Sequence, residues 1–355
     1  AQIAGFGIVE AFMPNPGRLG ELLIPGATLI LENAVPAKIA RKTAFTVQAV
    51  LHDGVAVCLN TLRTNEIARF LVNEGMVPGM ENVKVLLSEV TRGHSRFDFL
   101  VKDGGKKILM EVKSVTLCGN RMAMFPDAVT ERGSRHLREL AALSSPEERP
   151  IVLFVVQGVD NDFFVPDYHT DLFFAQTMLA VKRELRFVPI AIGWNSDSLL
   201  LSGVKLLKIP WDLVIRQAVD KGVYIITLKV KEVVDVSVGS LRNVRFYPGY
   251  YLYVGSGMNG LSSQIRRHLR KRKNLHWHID YLVDVANEIR VYPIRGGQTS
   301  ETHLSQRVSE VYKSVISGFG SSDSCRETRL FFSLENPADQ SKFHALLGEF
   351  RFVRP

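Results

Sequence analysis

Ser95-Arg96-Phe97-Asp98-Phe99-Leu100-Val101 runs into Lys102-Asp103-Gly104-Gly105-Lys106-Lys107 and then into Ile108-Leu109-Met110-Glu111-Val112-Lys113. Gly104-Gly105 marks a two-residue hairpin, because the turns that match strand twist need positive φ. With those glycines as the loop, Asp98 faces Glu111 and Arg96 faces Lys113. Side chains alternate between faces. Phe97, Phe99, Val101, Ile108, Met110 and Val112 therefore form one apolar face, and Asp98, Glu111 and Lys113 share the other. Opposed carboxylates with Cβ atoms ~5 Å apart repel. A hard cation between them removes the repulsion, and Mg²⁺ uses such a pair together with phosphate and water oxygens. Lys113, on the same face, is placed to orient or deprotonate a water for attack on phosphorus. The competing reading of the same spacing is a solvated strand face on which Arg96 and Lys113 neutralise the acids.

Around the hairpin the chain reads as mixed α/β. Residues 1–60 are expected to be all-β, with apolar stretches at 27–31, 45–51 and 55–59. Pro14-Asn15-Pro16-Gly17, Pro25-Gly26 and Asp53-Gly54 punctuate them, which suits a small barrel. Residues 62–73 are expected to be helical, with Leu62, Ile67, Phe70 and Leu71 near helical spacing. Further helices are expected over 130–143 and 170–185, with a buried strand at 151–156. Cys58 falls in a strand pattern and is expected in the core. A second unit opens near Gly222, with strands at 223–229 and 250–254 and a basic helix at 261–270. The expected division is 1–60, 61–215 and 216–355.

Composition narrows the function classes. The chain has 355 residues, of which 46% are hydrophobic and 23% charged, so wholesale disorder is excluded. No apolar run approaches the ~18 residues of a membrane helix, and no membrane partner is expected. Three scattered cysteines (Cys58, Cys118, Cys325) carry no paired metal spacing and point to a reducing, cytoplasmic setting. The start at Ala1 lacks a Met and a signal pattern, so residues are expected to precede it. The formal net charge of +8 suggests a polyanionic partner.

Asp98 followed by Glu111-Val112-Lys113 resembles the Asp…Glu-X-Lys signature of the PD-(D/E)XK nuclease fold. The surrounding segments are more specific. Pro14-Asn15-Pro16-Gly17-Arg18-Leu19, Gly93-His94-Ser95-Arg96-Phe97-Asp98-Phe99, Glu111-Val112-Lys113-Ser114-Val115-Thr116-Leu117 and Phe125-Pro126-Asp127-Ala128-Val129-Thr130-Glu131-Arg132-Gly133 resemble the sugar fermentation stimulation protein family over residues 1 to about 210. The resemblance implies an OB-like barrel, truncated at its first strand, followed by a PD-(D/E)XK nuclease-like domain that binds DNA. It also implies metal ligation (Mg²⁺ or Mn²⁺) by Asp98 and Glu111, with Lys113 as the catalytic lysine. Because the family is associated with sugar metabolism, a non-catalytic DNA-binding regulator of sugar metabolism genes is the alternative to a DNA endonuclease. Asn65 or Glu66 is a further candidate ligand, weighed against a solvated helix face. Arg18, Arg132, Arg135, His136 and Arg138 are candidate phosphate contacts.

Gly249-Tyr250-Tyr251-Leu252-Tyr253-Val254-Gly255-Ser256 and Trp277-His278-Ile279-Asp280-Tyr281 resemble a compact family of the GIY-YIG nuclease superfamily, over residues 218 to about 335. That resemblance implies an α/β domain in which Tyr224 and Tyr253 position the water and Glu301 holds a divalent metal. Gln264 stands where the superfamily has an arginine. Gln brings no charge to a developing phosphorane, so a binding domain without catalysis is expected. His276, His278 and Asp280 on a strand would share a face, but no cysteine accompanies them to make a structural zinc site. The excess charge has an address: Arg242, Arg245, Arg266, Arg267, Arg270, Lys271, Arg272 and Lys273 lie between Leu241 and Ile279, a window free of Asp and Glu. With His268, this run is the expected phosphate-gripping surface for DNA.

Overall fold

A computed structural model describes residues 1–5, 7–34, 42–196, 198–270, 272–320 and 328–355. The hairpin sits inside a six-stranded sheet. Its order is Leu201–Leu206, Arg186–Trp194, Ile151–Gln157, Lys106–Val115, Ser95–Asp103 and Lys84–Arg92. Ile151–Gln157 runs parallel to both its neighbours and is buried along its whole length, as a central strand of β-branched and aromatic residues demands. Its helices cover both faces. Ala68, Leu71 and Val72 of the Thr64–Asn73 helix close one core, with Phe99, Val101, Met110 and Val112. Leu137 and Leu140 of the Glu131–Ala142 helix and Phe174 and Met178 of the Leu172–Ala180 helix close the other.

The hairpin pairs Phe99 with Met110 through to Asp103 with Lys106, the register the glycine turn dictates. It departs from the expected pattern at one place. The ladder stops at Phe99–Met110, so Asp98 and Glu111 are not a cross-strand pair. The Val112 N–H donates instead to the Asp98 carboxylate at 2.8 Å. The pleat breaks there, and Phe97 joins Leu100 and Leu109 in the second core rather than extending the Phe99 face. Nor is Glu111 on a solvated face: His136 of the Glu131–Ala142 helix packs against it and it is only 4% exposed, while Asp98 and Lys113 are half-buried.

Other expectations shift for local reasons. The first helix begins at Thr64 after a 3₁₀ turn at Thr61–Arg63, so Leu62 falls out of phase and is exposed, as is Phe70. The helix expected over 170–185 closes at Ala180. Cys58, at the end of the Val55–Cys58 strand, is half-buried rather than core. In the N-terminal sheet, Phe45–His52 pairs with Ala11–Phe12, Thr28–Asn33 and Val55–Cys58. Among the described residues no helix is long and apolar enough to cross a membrane.

The chain divides into two compact units. One is Ala1–Asp167 with Phe173–Val214 and Arg354–Pro355, and the other is Ile215–Val353 with Tyr168–Leu172. The second is a five-stranded antiparallel-paired sheet ordered Glu288–Arg295, Gly222–Val230, Gly249–Ser256, Leu330–Ser333, Lys313–Ser314. Strict alternation sends Tyr224, Ile226 and Leu228 toward Leu261, Ile265, Ile279 and Leu282, and Val223 and Ile225 toward Leu304, Val308, Phe343 and Leu347. His276 and His278 do not share a strand face. A helix, His278–Val285, starts there, because the Asp280 carboxylate accepts the His276 and Trp277 backbone N–H groups at its N-terminus.

Candidate functional sites

In the first unit the broken pleat gathers charge around two carboxylates. Asp98 accepts Asn65 Nδ2 at 2.7 Å on Oδ1 and the Val112 N–H on Oδ2. Burial, reinforced by the charge of Glu111, holds its carboxyl above the usual carboxylate value. For Glu111, burial acts in the same upward direction, but His136 and Lys113 together bring its carboxyl below the usual value. Lys113 Nζ lies 2.5 Å and His136 Nδ1 2.8 Å from Glu111 Oε1. Both contacts fall on one oxygen. Oε2 is buried and has no hydrogen-bond partner, a state that costs about 1–3 kcal/mol or more for a charged group. A buried orphan oxygen beside a second carboxylate is a donor set for a hard cation. Among the described residues no group of three or more His, Cys, Asp and Glu side chains is arranged to hold a metal.

Beside Lys113 a cleft of about 250 Å³ is lined by Asn15, Gly17, Asn65, Lys113, Ser114 and Asp127, among others. The 14–18 loop forms part of its wall and is fastened at several points. Pro14 O accepts Thr61 Oγ1, Asn15 Nδ2 donates to Leu59 O, and the Arg18 N–H donates to Asp127 Oδ2 at 2.9 Å. Gly17 lets the Asp127 carboxylate approach closely, since a Cβ there would have to displace it. Arg18 itself is exposed. Of the two candidate extra ligands, Asn65 holds Asp98, whereas Glu66 faces a separate groove with Ile67, Phe70 and Trp194. Arg132, Arg135 and Arg138 are exposed on the Glu131–Ala142 helix. His136 is not with them; it is buried against Glu111.

In the second unit Tyr224, Tyr253 and Glu301 come together, with the tyrosine rings 6.5 Å apart. Gly255 leaves the space that the Tyr224 ring fills. Burial, then neighbouring acidic groups, push both hydroxyls above the ordinary tyrosine value, so they stay protonated at neutral pH. Gln264 contacts the Tyr224 hydroxyl and, at 3.1 Å, His268 Nε2. Glu301 is engaged by an ion pair with Arg329 Nη1 at 2.5 Å and by Ser256 Oγ. Ser256 closes a quoted motif segment, whereas Arg329 lies outside them and carried no signal in the sequence.

The basic run is partly neutralised. Asp280 lies one residue beyond the acid-free window and is fully buried. It binds Arg267 at 3.0 Å, His268 Nδ1 at 3.0 Å and Lys273 at 3.3 Å. Arg245 forms a two-pronged pair with Asp235. His268 is 1% exposed. Arg242, Arg266, Arg270 and Arg272 remain exposed. Lys271 lies outside the described residues.

Comparison with known proteins agrees with this organisation. Residues 1–59 match the SfsA N-terminal OB domain and 62–197 the sugar fermentation stimulation protein RE domain. Residues 223–351 match DUF123, a domain of unknown function that is GIY-YIG-like. A sugar fermentation stimulation protein homolog from Moorella thermoacetica is 40% identical over 169 residues, 47% of this chain and 72% of the relative. One from Methanothermobacter thermautotrophicus is 32% identical over 203 residues, 57% of this chain and 84% of the relative. The structure of Pyrococcus furiosus SfsA in complex with Ca²⁺ superposes with a TM-score of 0.51 at 23% identity, covering 57% of this chain and 85% of that one. That likeness shows the fold of the part of the chain it covers.

Proposed function

The chain belongs to the sugar fermentation stimulation protein family, and on that premise we propose that it binds DNA and hydrolyses a phosphodiester bond at Asp98, Glu111 and Lys113 with Mg²⁺ or Mn²⁺. The observation that carries this reading is the buried, unpartnered Oε2 of Glu111 next to Asp98. Asp98 and Glu111 would hold the divalent cation, which when bound would supply Lewis-acid polarisation of the scissile phosphate. Asn65 and the Val112 N–H fix Asp98 for that task. Lys113 orients the attacking water and places positive charge where the phosphate oxygens gain negative charge. Water adds to phosphorus, the P–O ester bond breaks, and the leaving oxygen takes a proton. The exposed Arg18, next to the cleft-lining Gly17, and Arg132 contact backbone phosphates. The exposed arginines of the second unit grip the backbone without reading sequence. The Ca²⁺ in the Pyrococcus furiosus relative supports the reading, since Ca²⁺ and Mg²⁺ both prefer oxygen ligands.

A second reading, a DNA-binding regulator of sugar metabolism genes without catalysis, is favoured by one observation. In the second unit Gln264, which contacts the Tyr224 hydroxyl, stands where an arginine is expected. The deciding experiment incubates plasmid, single-stranded and branched DNA with Mg²⁺ or Mn²⁺ and compares the wild type with Asp98→Ala. Metal-dependent cleavage lost in Asp98→Ala is expected. Binding of these DNAs without cleavage selects the regulator, and cleavage that survives Asp98→Ala refutes the site.

A further inference from the structure

Arg132 and His136 stand one helical turn apart on the Glu131–Ala142 helix, on the side that meets Glu111. Arg132 Nε lies 3.3 Å from His136 Nε2. A guanidinium can only donate, so Nε2 is the acceptor and the ring hydrogen sits on Nδ1. That hydrogen points at Glu111 Oε1, 2.8 Å away. The ring is held from a third side by Phe97, edge to face with centroids 6.1 Å apart. The Phe97 side chain is available for this only because the pleat breaks at Asp98 and turns it toward this helix. Leu137 and Leu140 anchor the helix in the core, and Thr130 caps it by accepting the Gly133 N–H at 3.0 Å. Both ring nitrogens are thus occupied, which leaves the imidazole no lone pair for a metal.

We propose that Arg132 and His136 are positioning residues for Glu111. The guanidinium fixes the imidazole tautomer, and the imidazole pins Oε1, so that Oε2 alone is presented to the cation. The inference rests on the cation site proposed above and extends it to a shell no carboxylate signature contains. Partners that orient a ligand in this way are worth about 10- to 100-fold in metal affinity.

The test measures Mn²⁺ binding to the full chain without DNA, by electron paramagnetic resonance. Wild type, Asp98→Ala, His136→Leu, His136→Asn and Arg132→Leu are compared. His136→Leu is expected to weaken binding by about 10- to 100-fold. His136→Asn places an amide N–H where Nδ1–H was, and is expected to recover most of that loss. Arg132→Leu is expected to weaken binding several-fold. In ¹⁵N NMR of the ring it should change His136 from a single Nδ1–H tautomer to a mixture. If His136→Leu does not fold, Arg132→Leu, altered at an exposed side chain, carries the same test.

The inference is overturned in any of three cases: His136→Leu binds Mn²⁺ like the wild type, His136→Asn is as impaired as His136→Leu, or the wild-type ring carries its hydrogen on Nε2. Failure of the cation site itself looks different: the wild type then binds no Mn²⁺, or binds it no better than Asp98→Ala. That result overturns both proposals.

Discussion

Asp280→Asn is the substitution whose consequence follows most directly from the second unit. The Asp280 carboxylate is fully buried and is met by five residues: Arg267 (Nη2 3.0 Å, Nη1 3.5 Å), His268 Nδ1 (3.0 Å), Lys273 Nζ (3.3 Å) and the backbone N–H groups of His276 (3.1 Å) and Trp277 (3.0 Å). Asparagine keeps one carbonyl oxygen but places an NH₂ group among donors and removes the charge that balances Arg267 and Lys273. Breaking a buried pair on one side costs about 3–5 kcal/mol. For a unit of this size that is a drop of about 10 °C in the unfolding midpoint.

The pH dependence has a definite sign. Burial opposes ionisation of Asp280, but His268, the two backbone N–H groups and Lys273 outweigh it and hold the carboxyl far below the usual value. A depressed carboxyl stabilises the fold above its unfolded pKa of ~3.9, and that contribution fades as pH falls toward the folded value. Between pH 7 and 3 the unfolded chain takes up close to one proton at this position while the folded carboxylate stays ionised. The gap between wild type and Asp280→Asn should therefore shrink by about 1.3 kcal/mol. Urea unfolding at the two pH values measures the gap and thermal unfolding measures the midpoint, both followed by near-ultraviolet circular dichroism. A midpoint drop below about 3 °C, or a gap that does not narrow at pH 3, refutes the reasoning.

Two further outcomes are expected. Gly17→Ala drives a Cβ into the Asp127 carboxylate and breaks the Arg18 N–H bond that seats the loop; overpacking should cost about 1–3 kcal/mol and DNA cleavage should fall several-fold, whereas unchanged melting and cleavage would show that the loop is not seated there. Among the described cations of the basic run, only Arg242, Arg266, Arg270 and Arg272 are exposed and free of a carboxylate. If each meets a phosphate, their share of the log–log salt slope of DNA binding is about 3.6, at ~0.9 per phosphate, and replacing all four by Ser should flatten the measured slope by that amount.

Much of this was legible in short-range pattern. The Gly104-Gly105 turn fixed the hairpin register, because a two-residue loop admits one pairing, and strand alternation in 222–230 divided Tyr224 and Ile226 from Val223 and Ile225. The helix expected over 130–143 forms at Glu131–Ala142, with the Thr130 hydroxyl accepting the Gly133 N–H at its N-terminus. The Asp98, Glu111 and Lys113 set was legible too, since it lies on two adjacent strands. Phe97 and Leu62 were misplaced because a side chain's face depends on unbroken phase. A carboxylate that replaces a carbonyl, or a 3₁₀ turn before a helix, resets that phase without a compositional mark.

What the sequence by itself determined is therefore the inventory: a carboxylate pair, a lysine, two tyrosines and a basic run. Tertiary structure alone decided their state. Glu111 is 4% exposed because a helix beginning 20 residues later lies over it. Its Oε2 is unpartnered because His136 and Lys113 converge on Oε1. Asp280 lies next to an acid-free window in the chain, yet in space it gathers Arg267, His268 and Lys273 and removes them from the free charge. Charge is counted along a chain, but it is neutralised through space. Contacts between residues 12 to 45 positions apart, such as His268 with Asp280 and Ser256 with Glu301, exist only once the fold has brought them together.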